Sequence, residues 1–428
     1  MSGGLIIGIF IVLMLTGLPI AISMVVPAGI YLLVSQIPIT TAIQRMVTSL
    51  NSFPLLAVPM FIFAANLMNN GGITERLFDF AKLLVGRMKG GLAQVNIIAS
   101  LIFAGISGAA LADVGGLGNI EIDAMKKQGY SMEDSAAITA ASATIGPIFP
   151  PSIPLIIYGA AAETSSMKLL MAGVFPALVI TAVLMLMVGF FARKKNYPRG
   201  VDHKFTKREM LTIAKRGLPS VLMPMILMGG MLSGWFSPTE VAAVAITYAI
   251  FLMILYKSFS FKGIIKVCKE TLISTSSVLF IVAAAAIFAW TLTVEQLPQQ
   301  VSAALLGISH SPAMLLLLTN VILLIAGMFL ETTAAIMIFT PILLPTLLAA
   351  GVNPVHFGLV MVFNLMIGML TPPVGMSIYM LSPIAGLPVN KLFKAVMPYM
   401  IPLGIALVIL TYVPEISLWL PNLLYGSR

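Results

Sequence analysis

Ile145-Gly-Pro-Ile-Phe-Pro-Pro151 and Ile367-Gly-Met-Leu-Thr-Pro-Pro373 are two copies of one pattern. A shift of 222 residues carries Ile145 onto Ile367 and Gly146 onto Gly368. The same shift carries Ala104-Gly105 onto Ala326-Gly327, Gly129 onto Gly351 and Ile156 onto Ile378. The chain therefore reads as two related halves, each with a hydrophobic segment interrupted by glycine and proline. In a membrane protein, paired interruptions at corresponding positions point to a transporter's binding site.

Composition supports a membrane setting. The 428 residues are 59% hydrophobic and 9% charged, where a soluble domain carries about 25% charged residues. Mean hydropathy is +1.04. The short alternating segments of a membrane β-barrel are missing, so the spans are helical. Residues 5–15 resemble a signal-peptide core, but no basic stretch precedes them and no small-residue cleavage site follows. They read as a first span. The one cysteine, Cys268, excludes an intrachain disulfide and a paired-thiol metal site. The pI near 9.6 calls for no nucleic-acid partner, because in a membrane protein the placement of basic residues matters more than their sum.

About 20 apolar residues are needed to cross a bilayer. Stretches near 4–17, 19–34, 52–69, 135–160, 168–192, 217–235, 239–256, 272–293, 356–381 and 396–413 meet or approach that length. Two others, 91–125 and 312–350, are interrupted midway by glycine, proline and polar residues, and read as re-entrant hairpins. Segments 37–50, 72–87, 257–270 and 295–307 read as amphipathic connectors along the interface.

The charges orient these segments. Lys89, Lys126 and Lys127 flank the first hairpin, and Arg193, Lys194, Lys195, Arg199, Lys204, Lys207, Arg208, Lys215 and Arg216 crowd the linker 193–216. With Arg76, Lys82, Arg87, Lys257, Lys262, Lys266, Lys269, Lys391 and Lys394, they place 21 of the 24 basic residues on one side. Only Arg45, Lys168 and Arg428 fall opposite. The crowded side is cytoplasmic by the positive-inside rule. The second hairpin, without flanking lysine or arginine, then enters from outside. The expected fold is an all-α polytopic membrane protein of two inverted-topology repeats. The first, 1–192, holds helices over 1–69, the hairpin 91–125 and the broken helix 135–160. The second, 217–428, holds helices over 217–293, the hairpin 312–350 and the broken helix 356–381. Both termini fall outside. The linker's basic run reads as a topology determinant and lipid-headgroup contact, with a partner site as the other reading.

A helix broken in hydrocarbon leaves backbone groups that protein, water or a ligand must satisfy. The prolines of both motifs block bonds to preceding carbonyls. Freed carbonyls suit a small hard cation, and half-helix N-termini suit an anion. A simple proline kink is the competing reading; duplication beside a glycine-rich hairpin favours a binding site. At the tips, Ser107, Thr332 and Thr333 are candidate ligand contacts, while Ala109 and Ala110 permit close packing. Asp113 and Glu331 are intramembrane carboxylates, rare and costly. Asp113 either acts by charge or ties down the hairpin tip; Glu331 either meets a cation or caps a helix. Glu121 and Asp123 are expected in solvent near the hairpin base. Ser142 and Asn364, related by the same shift, are expected to bond the opened backbone.

No enzyme pattern appears. His203, His310 and His356 are scattered, and there is no phosphate-binding loop. An anion channel would need a polar lining that these spans scarcely supply.

The runs Gly105-Ile-Ser-Gly-Ala-Ala-Leu-Ala-Asp113, Ala141 to Pro154, Gly327 to Ile336 and Thr371 to Met376 resemble the large membrane subunit of tripartite ATP-independent periplasmic (TRAP) transporters. The likeness spans nearly the whole chain. It implies sodium-driven uptake of acidic metabolites such as C4-dicarboxylates or sialic acid in a bacterial inner membrane, and an elevator-type fold. It implies two sodium sites: one from Gly105, Ser107, Gly108, Gly146, Phe149 and Pro151, the other from Gly327, Gly368, Thr371 and Pro373. Phe149 stands where the second site has Thr371, so the two cannot be chemically identical. Sodium is the coupling ion and no cofactor is implied. Implied partners are a small four-helix membrane subunit and a soluble extracytoplasmic solute-binding protein. A stand-alone sodium/carboxylate symporter of related fold is the rival.

Overall fold

The computed structural model describes residues 2–201 and 205–426; His203, Lys204 and Arg428 lie outside the described residues. The chain begins with α1 (Gly3–Leu15), α2 (Ile20–Val34), α3 (Thr40–Leu50), α4 (Ala57–Asn70) and α5 (Ile73–Val85). A hairpin follows, with α6 (Gly91–Ser107) as one limb and α7 (Ala110–Gly116) with α8 (Gly118–Lys127) as the other. The first broken helix is α9 (Met132–Ser142), a 3-10 turn, an open stretch and α10 (Ile153–Ala161). Then come α11 (Ser166–Ala172) and α12 (Val174–Lys194).

The remainder holds α13 (Lys207–Leu232), α14 (Pro238–Leu255), α15 (Phe261–Val294) and α16 (Leu297–Ile308). The second hairpin is α17 (Pro312–Phe329) with α18 (Thr332–Ala349), and the second broken helix is α19 (Pro354–Gly368) with α20 (Met376–Ala385). α21 (Val389–Tyr412) and α22 (Glu415–Tyr425) close the chain. Among the described residues there is no β-strand, and eight helices or helix pairs are long and apolar enough to cross a membrane.

The 222-residue shift reaches element ends. It carries Ala110, the first residue of α7, onto Thr332, the first of α18; Lys127 onto Ala349, which ends α18; and Met132 onto Pro354, which opens α19. Gly129 and Gly351, related by the shift, both take positive φ, +85° and +82°. That region is open chiefly to glycine, which explains why these two turns keep it.

Four elements differ from the sequence expectation. The connector 257–270 and the span 272–293 are one helix of 34 residues, α15. Nothing after Gly263 breaks it, whereas its counterpart in the first half contains Asn51-Ser52-Phe53-Pro54 and splits into α3 and α4. The linker is shorter than 193–216, because α12 runs to Lys194 and α13 starts at Lys207. Thr206 and Glu209 form a capping box there: Thr206 Oγ1 accepts from Glu209 N at 3.3 Å, and Thr206 N donates to the Glu209 carboxylate at 2.8 Å. Such a pair satisfies orphan N–H groups and starts a helix despite the basic run. α22 has no counterpart among the expected spans. Finally, Glu121 is fully buried, while Asp123 is exposed as expected.

The connector between halves is fastened to the base of the first hairpin. Lys89 pairs with Arg199 in an isolated antiparallel bridge, Val201 N donates to Gly86 O at 3.0 Å, and Gln128 Nε2 donates to Gly200 O at 2.8 Å. Lys195 Nζ bonds Asp134 Oδ1 at 2.5 Å.

Candidate functional site

Each hairpin tip packs on its own broken helix. In the first half, Gly108 stands at φ +60°, and a Cβ there would collide with the Pro151 carbonyl oxygen. Ile153 N donates to Gly108 O at 3.1 Å, so the tip completes the start of α10. A Cβ on Gly105 would lie 3.2 Å from the Phe149 ring. In the second half, Gly327 and Gly368 meet backbone to backbone, with a Cβ on Gly368 falling 2.6 Å from the Gly327 Cα.

The opened backbone leaves oxygen behind. Among the described residues, no hydrogen bond reaches the carbonyls of Gly146, Phe149 or Pro151 in the first break, or of Gly327, Thr371 or Pro373 in the second. The Gly368 carbonyl accepts from Thr371 N at 2.8 Å and keeps a second lone pair. Thr371 Oγ1 donates to Ile367 O at 2.9 Å, which leaves its own lone pairs free. Small hard cations take oxygen ligands of this kind, so both clusters suit an alkali cation by donor type.

A cavity of about 350 Å³ lies between the two assemblies. Its walls include Ser107, Ala109 and Ala110 from the first tip, Glu331, Thr332 and Thr333 from the second, and Pro147, Pro154 and Met369 from the broken helices. Asn66 of α4 and Ser274 of α15 complete it. Among the described residues, no lysine, arginine or histidine lines it. The volume suits a small organic molecule, whose pockets start near 300 Å³.

Glu331 both lines this cavity and caps α18. Its carboxylate accepts from Thr333 N at 2.8 Å, Ala334 N at 3.3 Å and Thr333 Oγ1 at 3.1 Å. Thr332 Oγ1 donates to Met369 Sδ at 3.0 Å, tying the second tip to the second break. Ser107 Oγ is buried with no hydrogen-bond partner.

Asp113, Ser142 and Asn364 are buried and are not among the cavity walls. Neither Ser142 nor Asn364 reaches the opened backbone. Ser142 Oγ donates to Asn96 Oδ1 at 2.6 Å, and Asn364 Nδ2 donates to Asn320 O at 2.9 Å and Asn320 Oδ1 at 2.8 Å. Asn320 Nδ2 continues to Thr411 Oγ1 at 2.9 Å. Both side chains instead satisfy a polar partner on a neighbouring helix.

Sequence reasoning missed Asn96, Thr139, Asn66 and Ser274. Asn96 Nδ2 donates to Glu121 Oε2 at 2.8 Å and Thr139 Oγ1 at 2.7 Å, which explains how Glu121 is buried. The signal was available: Asn96 and Thr139 are polar where the shifted positions hold Leu318 and Met361.

A model of the family described as "Tripartite ATP-independent periplasmic transporter, DctM component" matches residues 7–416. The chain belongs to this family. It is 42% identical over 416 residues to the sialic acid TRAP transporter large permease protein SiaM of Vibrio cholerae, covering 97% of each chain. It is 39% identical over 371 residues to the C4-dicarboxylate TRAP transporter large permease protein DctM of Pseudomonas aeruginosa, covering 86% of each. In fold it is similar to the crystal structure of the YdaH transporter of Alcanivorax borkumensis, with TM-score 0.61, 16% identity, and coverage of 89% of this chain and 87% of that one. As a DctM-component permease, the chain is a multi-pass membrane protein whose hairpin tips and broken helices line one cavity.

Proposed function

We propose that this permease takes up a small carboxylate-bearing solute, sialic acid, a C4-dicarboxylate or a similar acid, driven by sodium. It works in a bacterial inner membrane with both termini on the outer side. It acts as the large subunit beside a small four-helix membrane subunit and a soluble extracytoplasmic binding protein. The observation that carries this reading is the cavity shared by both hairpin tips and flanked by two clusters of unpaired carbonyl oxygens.

With no basic side chain in the walls, the solute's carboxylate is met by hydroxyls and amides: Ser107, Thr332, Thr333, Ser274 and Asn66. Sodium at Gly146, Phe149 and Pro151, and at Gly327, Gly368 and Thr371, supplies the positive charge. Cation and substrate thus assist each other through their shared field. The hairpins and broken helices travel together as one elevator body, past α4 and α15, which lend Asn66 and Ser274.

The test is uptake of labelled organic acids into liposomes holding the chain, its small subunit and the binding protein. An inward sodium gradient is compared with potassium. Accumulation needing both sodium and the binding protein is expected. Accumulation without the binding protein indicates a stand-alone symporter, and equilibration without sodium indicates a channel; either outcome rejects the proposal.

A further inference from the structure

A second cavity, of about 490 Å³, lies between α1 and the second hairpin. α1 rests on α2 and α15, and α17 on α18 and α19, so the cavity is the space those contacts leave. Phe10 of α1, Phe288 of α15, and Leu330 and Ile338 of the hairpin form its floor and are at most 5% exposed. Ile11, Leu15 and Ile325 form its rim and are 42%, 68% and 52% exposed. Among the described residues, none of its walls carries a side-chain nitrogen or oxygen. It shares no wall with the cavity between the two hairpin tips.

The first half closes the matching space with protein. The 222-residue shift carries Ile322, Ile325, Ala326 and Phe329 back onto Ser100, Phe103, Ala104 and Ser107, all of them buried. A Cβ on Gly105 would lie 2.6 Å from the Pro224 Cβ. α13 thus presses directly on the first hairpin, whereas α1 stands off the second across the cavity. The open face of the second hairpin is therefore not a requirement of the shared fold.

A void forfeits dispersion contacts along its walls, and an apolar one offers water nothing to bond. α15, α17 and α18 are long and apolar enough to cross a membrane. What reaches the rim is therefore hydrocarbon.

We propose that this cavity holds one acyl chain of a membrane phospholipid. Two features favour a chain over a partner helix. From Ile7 to Leu15 the α1 wall runs eight residues, about 12 Å at the helical rise, well short of the roughly 30 Å that a spanning helix crosses. Helix contacts in membranes also favour small residues and polar groups, while these walls are nearly all Ile, Leu, Phe and Met. Leu330 lines this cavity, and Glu331 beside it lines the other. The acyl chain thus backs the tip whose next residue faces the other cavity. The inference concerns lipid alone and stands apart from sodium coupling and from solute identity.

Native mass spectrometry of the full-length chain, released from phosphatidylcholine nanodiscs into mild detergent, tests it. Wild type should keep one phospholipid per chain. Ile338→Trp, which fills the floor, and Ile11→Trp, which plugs the rim, should each lose it. Leu186→Trp, at a position of α12 that is 75% exposed, should keep it. Wild type without a retained phospholipid overturns the proposal, and that result needs no variant to fold. A phospholipid that survives both plugs also overturns it, because the lipid then sits elsewhere. Adding a small four-helix membrane subunit should leave the lipid in place. Its displacement would make a partner helix the occupant and reject the acyl chain. None of these readings depends on transport, so a failed uptake assay leaves them intact.

Discussion

Gly327 and Gly368 touch through their backbones, on two helices that belong to the second hairpin and the second broken helix. A Cβ on Gly368 would lie 2.6 Å from the Gly327 Cα and 2.7 Å from its carbonyl carbon. The contact holds the Gly327 carbonyl against the opening that begins at Gly368. A methyl group at either position pries apart the two sources of oxygen.

Gly368→Ala should therefore insert into the membrane but lose sodium-dependent uptake. Overpacking a close contact costs about 1–3 kcal/mol, enough to displace a cation site without unfolding the chain. Reconstituted uptake, beside a thermal melt, checks it. Near-normal uptake in that variant would show that the close approach is not needed.

Thr371→Val should raise the sodium concentration for half-maximal uptake, while Thr371→Ser should stay near wild type. The hydroxyl donates to Ile367 O and keeps lone pairs for a cation. A sodium titration of initial uptake rates separates the two. Unchanged sodium dependence in the valine variant removes Thr371 from the site.

Gly108→Ala and Gly129→Ala form a matched pair. Both glycines have positive φ, +60° and +85°, but only Gly108 has a neighbour, the Pro151 carbonyl, in the way. The left-handed backbone alone costs a non-glycine residue roughly 1–2 kcal/mol. Gly129→Ala should lower the melting temperature modestly and retain uptake. Gly108→Ala should lower it further and abolish uptake. Equal effects in the two variants would assign the whole cost to backbone conformation.

Glu331→Ala should destabilise the second hairpin by about 0.5–2 kcal/mol, the usual cost of removing a helix cap. Glu331→Gln retains an acceptor oxygen and should recover most of that stability. If the glutamine variant is stable yet transports poorly, the charge serves the cavity as well as the cap. Melting temperature and uptake, measured on the same preparation, distinguish the two roles.

Much of this arrangement was legible because hydrocarbon constrains backbone so strongly. Gly146 to Pro151 and Gly368 to Pro373 could not continue a helix, and the tips Ser107–Gly108 and Glu331–Thr333 could not sit in lipid unsupported. Their places follow from local chemistry. The fate of Glu121, Ser142 and Asn364 does not, because it depends on which helix lies beside them. Glu121 is buried through Asn96, 25 residues away, and Asn364 turns to Asn320, 44 residues away. Likewise Asn66 and Ser274 reach the cavity from α4 and α15, far in sequence from either motif. The extent of α15 was hidden for another reason: amphipathic composition near Lys262–Lys269 describes its surroundings, not its backbone.

The fastening of the connector at Gly86, Lys89 and Gln128 gives it the mechanics of a leash. Its anchored end is Val201, and its free end enters α13 at the Thr206 cap. Between those two points the chain makes five residue steps, which span at most about 17 Å when fully drawn out. The base of the first hairpin cannot separate from the start of α13 by more than that while both attachments hold. Any rearrangement that parts them further must first peel Val201 from Gly86, so the connector's length limits how far the two can separate.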